Sequence, residues 1–407
     1  MKILYVSPYI GTIRSIFEGK AINTAPAVYY PIKYIIQRGH TLNFACLASK
    51  EDKPILDDHM KVFVTYRSKM CHKRFIIQSK VFAYIQFVYL IYKELKGGGY
   101  DFVYCKAIET LGPQIAANIL RIPVGVRWLG DAIITPEIEK LGYLKAFYRN
   151  PIMYFTLKTR CSFLLMTNDL PEGKRLFMKW LPRNNPYPVY YWKSGVEHKS
   201  INDLTVHEKL PDKSYIFYAA RYARHKRQDR IIEVLKILHF RGYMVSLVMC
   251  GVMQELDYLQ ELRNEIDSLG LDDYVIMRDV LRSDDVRFFS YNAIANLFFY
   301  DNSNRGNVLY ETLSIGGIAV VLANTSCNDL IENGHNGYLV NDENEAANVI
   351  MGLIDHPKQA EDIKLNAYRR SRKQILGTDE RFSREVELIE CYCENNRHKI
   401  DSFPLFM

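Results

Sequence analysis

A chain of 407 residues, 48% hydrophobic and 24% charged, is too long for one ordinary core and too apolar to be disordered, so two soluble domains of about 150 to 200 residues are expected. A net charge of +7 favours anionic partners and leaves nucleic acid, a membrane surface and a phosphorylated small molecule all open. The eight cysteines show no Cys-x-x-Cys pair and no Cys/His cluster of metal-ligand spacing, so they read as buried thiols of a reducing cytoplasm rather than as a metal or disulfide framework.

The amino terminus, "MKILYVSP", enters a strand at once and carries no extended signal-peptide core, so a cytoplasmic protein is expected. "KILYVS" (2–7) precedes a helix near 27–38, followed by strands "TLNFACL" (41–47) and "KVFVTY" (61–66). A basic stretch, "TYRSKMCHKRFIIQSK" (65–80), leads into the aromatic run "VFAYIQFVYLIY". "DFVYC" (101–105) then precedes a helix with Ile115, Ile119 and Leu120, and "PVGVRW" (123–128) follows. Strands alternating with helices imply right-handed crossovers and a mostly parallel sheet covered on both faces.

The pattern restarts after residue 200. "SYIFYAA" (214–220) feeds a helix with Ile231, Ile232, Leu235 and Leu238 at helical spacing, and "VSLVMC" (245–250) feeds one with Leu256, Leu259, Leu262 and Ile266. "YVIM", "AIANLFFY", "IAVVLA" and "GYLV" supply further strands. Two doubly wound α/β domains are therefore expected, over residues 1–200 and 201–377, with "SINDLTVHEKLPDKS" (200–214) as the linker and a ligand cleft between them. The segment "DERFSREVELIECYCENN" reads as an amphipathic helix with Phe382, Val386, Ile389 and Cys393 on one side.

Two sequence features carry chemistry. Arg221 and Lys226 flank a loop leading into a helix, where cations and free amides together suit a pyrophosphate; taken alone, such a turn reads first as solvated surface. In "DNSNRGNVLYETLSIGGIAVVL" (301–322), a polar loop ends in a helix starting near Asn307, which leaves the Gly306 and Asn307 amides free for a second phosphate or for sugar hydroxyls. Glu311, one turn inside among apolar neighbours, would accept from both hydroxyls of a ribose; an unpartnered carboxylate there would carry a desolvation penalty.

The order "YAARYARHKRQDRIIEVLKIL", "VSLVMCG", "LGLDDYVIMRDV" and "GNVLYETLSIGGIAVVLANTSCNDLIENGHNGYLV" resembles the carboxyl-terminal domain of the retaining nucleotide-sugar glycosyltransferases called group 1, over nearly all of residues 214–355. In the amino-terminal half the likeness rests on "MKILYVSP", "YIIQRGHTLNFA", "VRWLGD" and "YYWKSGVEH". The resemblance implies the GT-B fold, two Rossmann-like domains facing across a cleft. It implies that Arg221 and Lys226 hold the donor diphosphate, that Glu311, the second acid of an E-x7-E motif, binds the nucleotide ribose, and that Asn304 to Asn307, including Gly306, face the donor sugar and phosphate. Ile276 to Asp279, with Arg278, would lie beside the nucleobase, and Gly11 in a loop across the cleft, without the usual second glycine. It also implies that residues 378–407 cross back to the first domain.

Two positions depart from that pattern. The first acid of E-x7-E is Ser303, with Asp301 the nearest acid, and the family's His-Gly pair is Leu129-Gly130, followed by Asp131. The nucleotide half of the site is intact, while the sugar half is not to be copied from the family. Asp131 is the candidate to orient the acceptor or stabilise the charged sugar; its alternative is a helix cap before "AIITPEIEK".

Glycosyl transfer builds negative charge on the leaving diphosphate, so cations there act more strongly in the transition state than in the ground state. No Asp-x-Asp follows a strand, and Asp272-Asp273 and Asp284-Asp285 read as loop and helix-start acids, so no metal or other cofactor is expected. Lys69, His72, Lys73, Arg74 and Lys80 beside Phe82, Ile85, Tyr89 and Tyr92 form a pattern suited to peripheral contact of 67–95 with an anionic bilayer, too polar to span it; a core helix with a basic entry loop is the alternative. "YLKAFYRNPIMYFTLKTR" (143–160) is a second patch of this kind.

The expectation is a metal-independent, hexosyltransferase-type enzyme moving a sugar from a nucleotide diphosphate sugar to a lipid-linked or oligosaccharide acceptor in surface-polysaccharide biosynthesis, at the inner membrane face. Its rivals are another GT-B activity, such as a nucleotide-sugar epimerase or a soluble small-molecule transferase, and a degenerate binding subunit. Nucleic-acid binding ranks last, because the aromatics lack strand-platform spacing.

Overall fold

In a computed structural model, the structure describes residues 1–7, 26–49, 62–67, 76–106, 110–129, 142, 144–145, 147–148, 151–167, 187–301, 305–323, 327–395 and 397–405. The chain forms two units, residues 1–194 with 378–407, and residues 195–377. The sequence puts the boundary near residue 200; the structure puts it at Ser194/Gly195 and Gly377/Thr378.

The first unit holds a seven-stranded sheet built from β1 (Lys2–Val6), β2 (Thr41–Ser49), β3 (Val62–Arg67), β4 (Phe102–Lys106), β5 (Val124–Leu129), β6 (Phe163–Thr167) and β7 (Val189–Trp192), in the order β3-β2-β1-β4-β5-β6-β7. Every pairing is parallel, with Ile3 opposite both Leu42 and Phe102. Period-two alternation sorts β1 between the faces. Ile3 and Tyr5 pack with Val28, Ile32 and Ile35 of α1 (Pro26–Gln37). Leu4 and Val6 pack with Phe87, Ile91 and Leu95 of α2 (Ile76–Gly98), beside α3 (Leu111–Ile119) and α4 (Pro151–Lys158). Both faces are thus apolar, which is why "FLLMT" of β6 is buried at every position and shows no alternation.

The cover of the first face is completed from the far end of the chain. Helix α11 (Thr378–Cys393) inserts Val386, Leu388 and Ile389 into the α1 side of the sheet. It also buries charge. Glu385 lies 3.1 Å from Arg127 of β5 and 2.9 Å from Arg381 one turn before it, and accepts from the Tyr104 hydroxyl at 2.5 Å; these two arginines and the glutamate are all but inaccessible. The short helix α12 (Arg397–Ser402) follows, and the tail beyond it is held by β7, the Tyr191 amide donating to the Leu405 carbonyl (2.6 Å) and the Trp192 indole to Pro404 (2.8 Å).

The second unit holds a six-stranded parallel sheet in the order β10-β9-β8-β11-β12-β13, from β8 (Tyr215–Ala219), β9 (Ser246–Cys250), β10 (Val275–Arg278), β11 (Asn296–Phe298), β12 (Ala319–Leu322) and β13 (Tyr338–Val340). Its helices are α5 (Gln228–Phe240), α6 (Leu256–Ser268), α7 (Ser283–Asn292), α8 (Asn307–Ile315), α9 (Glu343–Asp355) and α10 (Pro357–Gln374). The strand order reverses between β8 and β11, so the crevice at their carboxyl ends is where a doubly wound sheet takes a ligand. The polar segment 200–214 lies inside this unit. Asp285 accepts from the His207 and Glu208 amides (2.7 and 3.1 Å), and Lys199 donates to Asp284 (2.7 Å).

Candidate active site

The loop after β8 is fixed from several directions. The Ala220 and Tyr222 amides donate to the Cys250 and Val252 carbonyls, extending the pairing with β9, and buried Gln228 donates to the Arg221 carbonyl at 2.8 Å. Tyr218 donates to the Lys226 carbonyl, and the Asp301 amide to His225 (3.1 Å), which ties this loop to the one after β11. Arg227, at φ 56°, braces the same junction through Asp229 (2.8 Å) and Asp301 (3.0 Å).

What remains unbalanced is cationic. Arg221 is exposed, and its guanidinium meets no hydrogen-bond or ion-pair partner among the described residues. Lys226 is half-buried with its ammonium 3.6 Å from the centre of the buried Tyr300 ring. Burial, and then the charge of Arg221, push the Lys226 ammonium down to about 8. No carboxylate within the described structure offsets it, so two neighbouring cations at the switch point await an anion.

Across the crevice, α8 is preceded by Gly306, whose φ of −149° is extended and which offers no capping side chain. The Asn307, Val308 and Leu309 amides have no acceptor among the described residues, and no atom of the described residues lies within 4 Å of a Cβ built at Gly306. Glu311 follows one turn inside. Its Oε1 accepts from Ser283 (3.1 Å) and Arg287 (3.4 Å) of α7, while Oε2 has no hydrogen bond within the described structure. Burial raises the Glu311 carboxyl above its ordinary value, opposed by Arg287 and the Ser283 hydroxyl.

Arg287 is the residue the sequence reading missed. It is 3% exposed and lies 3.1 Å from Asp284, 3.4 Å from Glu311 and 3.6 Å from Glu197. The penalty for a carboxylate among apolar helix neighbours is therefore met by a cation from α7. A helix arginine after two acids gives no sequence signal of this, because it reads equally as an exposed i,i+3 pair. Arg305, within the 304–307 stretch expected to face the donor, has a wholly buried side chain paired with Asp329.

Of the remaining sequence candidates, Ile276 packs against the core with Phe289, and Arg278 lies over the Phe289 ring (5.3 Å) and pairs with Glu208. Both sit on edge strand β10, two strands from β8. Gly11, Gly130, Asp131, Ser303 and Asn304 lie outside the described residues, and Leu129 ends β5. The structure thus gathers Arg221, Lys226, Gly306, Asn307 and Glu311 at the β8/β11 edge. Asp272 and Asp273 are exposed on a loop; Asp284 and Asp285 occupy the first turn of α7. Among the described residues no group of His, Cys, Asp and Glu stands ready to hold a metal ion.

One glycine shapes this edge. Gly251 has φ 154°, and a Cβ there would lie 2.1 Å from the Ala220 carbonyl oxygen and 3.0 Å from the Arg221 nitrogen. Gly251→Ala must move the backbone that carries Arg221, so it should lower unfolding stability by more than about 1 kcal/mol. A wild-type urea midpoint for the variant would contradict this close approach.

Residues 201–370 match the family described as glycosyl transferases group 1. No curated protein sequence matches the chain. Among solved structures, HepE of Anabaena in complex with UDP is 18% identical, with 96% of this chain and 100% of that one covered at a TM-score of 0.66. Sucrose-phosphate synthase of Thermosynechococcus elongatus is 12% identical, covering 97% and 100% at 0.71. A glycosyltransferase of Rickettsia africae is 14% identical, covering 97% and 99% at 0.69. At such identities the likeness speaks of fold alone. Over residues 201–370 the second unit is thus similar to the group 1 glycosyl transferases, and the chain as a whole has the two-domain GT-B fold of these structures.

Proposed function

We propose that this protein transfers a sugar, with retention of configuration and without a metal ion, from a nucleotide diphosphate sugar to a lipid-linked or oligosaccharide acceptor in surface-polysaccharide biosynthesis. The observation that carries the donor half is the pair of uncompensated cations, Arg221 and Lys226, set at the switch point beside the uncapped start of α8. In this reading they hold the donor diphosphate, the Gly306 and Asn307 amides take the sugar-side phosphate or hydroxyls, and Oε2 of Glu311 accepts from the ribose. The bond from the sugar's anomeric carbon to the diphosphate breaks, a bond to the acceptor oxygen forms, and the acceptor's proton passes to the leaving phosphate. Charge grows on the diphosphate during that step, so fixed cations lower the barrier without a divalent ion. Asp131 orients the acceptor.

HepE was crystallised with UDP, with UDP and glucose, and with UDP-glucose, which makes a uridine diphosphate sugar the first donor to test. Membrane contact is supported by exposed apolar groups of the first unit: Ile85 and Tyr89 on α2, and Leu144, Tyr148, Ile152 and Phe155 at α4, where Lys158 lies 5.3 Å from the Tyr154 ring centre. Lys69, His72, Lys73 and Arg74, and the side chains of Lys80 and Phe82, lie outside the described structure. No helix among the described residues is long and apolar enough to cross a membrane.

A thermal-shift screen against UDP, GDP, ADP, CMP and their sugar conjugates, with and without EDTA, tests the reading without an acceptor, because a ligand that binds only the folded state raises its melting temperature. One nucleoside diphosphate should stabilise the protein, EDTA should leave the shift unchanged, and Glu311→Gln should abolish most of it. No shift with any nucleotide would reject the donor site, and a shift lost in EDTA would reject metal independence.

A further inference from the structure

The first unit contains a cavity of about 1220 Å³ at the amino ends of β5, β6 and β7, the edge opposite to the one where a doubly wound sheet takes its ligand. Val124, the first residue of β5, and Ser162 and Pro188, which directly precede β6 and β7, line its floor, and α12 with the following tail forms one wall. The cavity exceeds the roughly 300 to 1,000 Å³ of a pocket for one small molecule, so an occupant of several rings fits it better.

Its chemistry is mixed in a definite way. Arg121 and Arg160 both line it, both are exposed, and neither guanidinium has a hydrogen-bond or ion-pair partner among the described residues. Tyr392 and Phe403 offer half-buried aromatic surface, continuous with buried Tyr190 and Trp192, whose rings lie 5.4 Å apart, and Asp401 adds an acceptor. Aromatic surface with scattered polar groups suits the faces and hydroxyls of sugar rings, and two forked donors suit carboxylate or phosphate.

A second observation sets Arg121 apart. It follows the last turn of α3 at φ 58°, the left-handed conformation in which a helix ends most easily on glycine, and the Ile122 amide closes back on the Ala117 carbonyl at 2.9 Å. Arginine there gives up backbone ease that glycine would provide. Residues held in such conformations cluster at ligand sites. A cation near a helix carboxyl end also offsets the helix dipole, but that needs charge alone and no forked geometry.

We propose that this cavity binds an acidic oligosaccharide, its anionic groups held by Arg121 and Arg160 and its rings resting on Tyr392 and Phe403. The test is calorimetry on the full chain with tetragalacturonate, glucose 6-phosphate, neutral maltotetraose and inorganic phosphate. An acidic sugar should bind about tenfold or more tightly than maltotetraose. Tighter binding of tetragalacturonate would assign carboxylate as the anion, and of glucose 6-phosphate, phosphate. Arg121→Gly, which suits the backbone, and Arg160→Lys, which keeps the charge and loses the fork, should each weaken that binding with no fall in melting temperature. Lys226→Met should leave it unchanged, which separates this cavity from the donor site. Equal affinity in the two arginine variants, binding of inorganic phosphate as tight as of the acidic sugars, or no acidic sugar bound at millimolar concentration would each overturn the proposal.

Discussion

Lys226→Met is expected to weaken binding of the donor's nucleoside diphosphate about 10- to 100-fold, the equivalent of about 1.5 to 3 kcal/mol for a charge-assisted contact. Two features make this residue, rather than the surface arginines, the sensitive one. Its ammonium is partly stripped of water, so pairing with phosphate recovers more than an exposed pair would, and Tyr300 at 3.6 Å fixes its position before any ligand arrives. The pH dependence follows from the ammonium titrating at about 8. Below that pH the group is charged and binds; as pH rises through 8 the wild-type affinity should fall towards that of the variant, whose own affinity stays flat there. For folding the sign is opposite. The folded value lies below the unfolded one, so the wild type should gain stability between pH 8 and the ordinary lysine range, and Lys226→Met should be no less stable than wild type at pH 7. Calorimetric titration at several pH values checks the first statement, and wild-type affinity in the variant would remove Lys226 from the diphosphate site.

Glu385→Gln is expected to destabilise the first unit by about 3 to 5 kcal/mol, because it leaves the buried guanidinium groups of Arg127 and Arg381 without a counter-charge. The aromatic faces near them, Phe382 at 5.4 Å from Arg127 and Trp192 at 5.0 Å from Arg381, do not replace a carboxylate. All three tryptophans of the chain lie in residues 1–194. Their fluorescence therefore reports the first unit alone during urea unfolding, and its midpoint should drop while the second unit's does not. The triple change Arg127→Met, Arg381→Met, Glu385→Leu should recover much of the loss, since apolar groups of similar size replace a buried ion triad at little cost. A wild-type midpoint for Glu385→Gln would show that the triad is not under the strain of burial.

The parts legible in the sequence are those set by periodicity and by chain termini of elements. The apolar runs of the second unit become β8 to β13, within a residue at each end except for β11, which takes only Asn296–Phe298 of "AIANLFFY", and the helix expected to start near Asn307 begins there. Phe382, Val386 and Ile389 are buried on α11 as their spacing indicates. Strands β6 and β7 carry no such signal; "FLLMT" and "VYYW" are short continuous apolar runs without alternation, which periodicity cannot tell from helix. Charge was the least legible feature. Arg127, Arg287, Arg305, Arg381 and Glu385 are all buried or nearly so; Arg287, Arg381 and Glu385 sit where helical spacing reads as solvated surface, and Arg127 is a charge inside an expected strand. Arg381 and Glu385 are one turn apart on α11 and Arg287 pairs within its own helix with Asp284, but the contacts of Arg127 with Glu385, Arg287 with Glu311 and Arg305 with Asp329 are made only by the tertiary fold.

Because α11 completes a sheet whose strands all precede residue 194, the first unit is built from two pieces of chain with the second unit inserted between them. On the ribosome the order of completion is then the reverse of the order of synthesis. The first seven strands emerge with one face still lacking its α11 cover and with Arg127 awaiting Glu385, and residues 195–377 must be made and can fold in the interval. An unfinished chain therefore presents an apolar sheet face only partly covered, by α1, for as long as those residues take to translate, the kind of surface on which chaperones act.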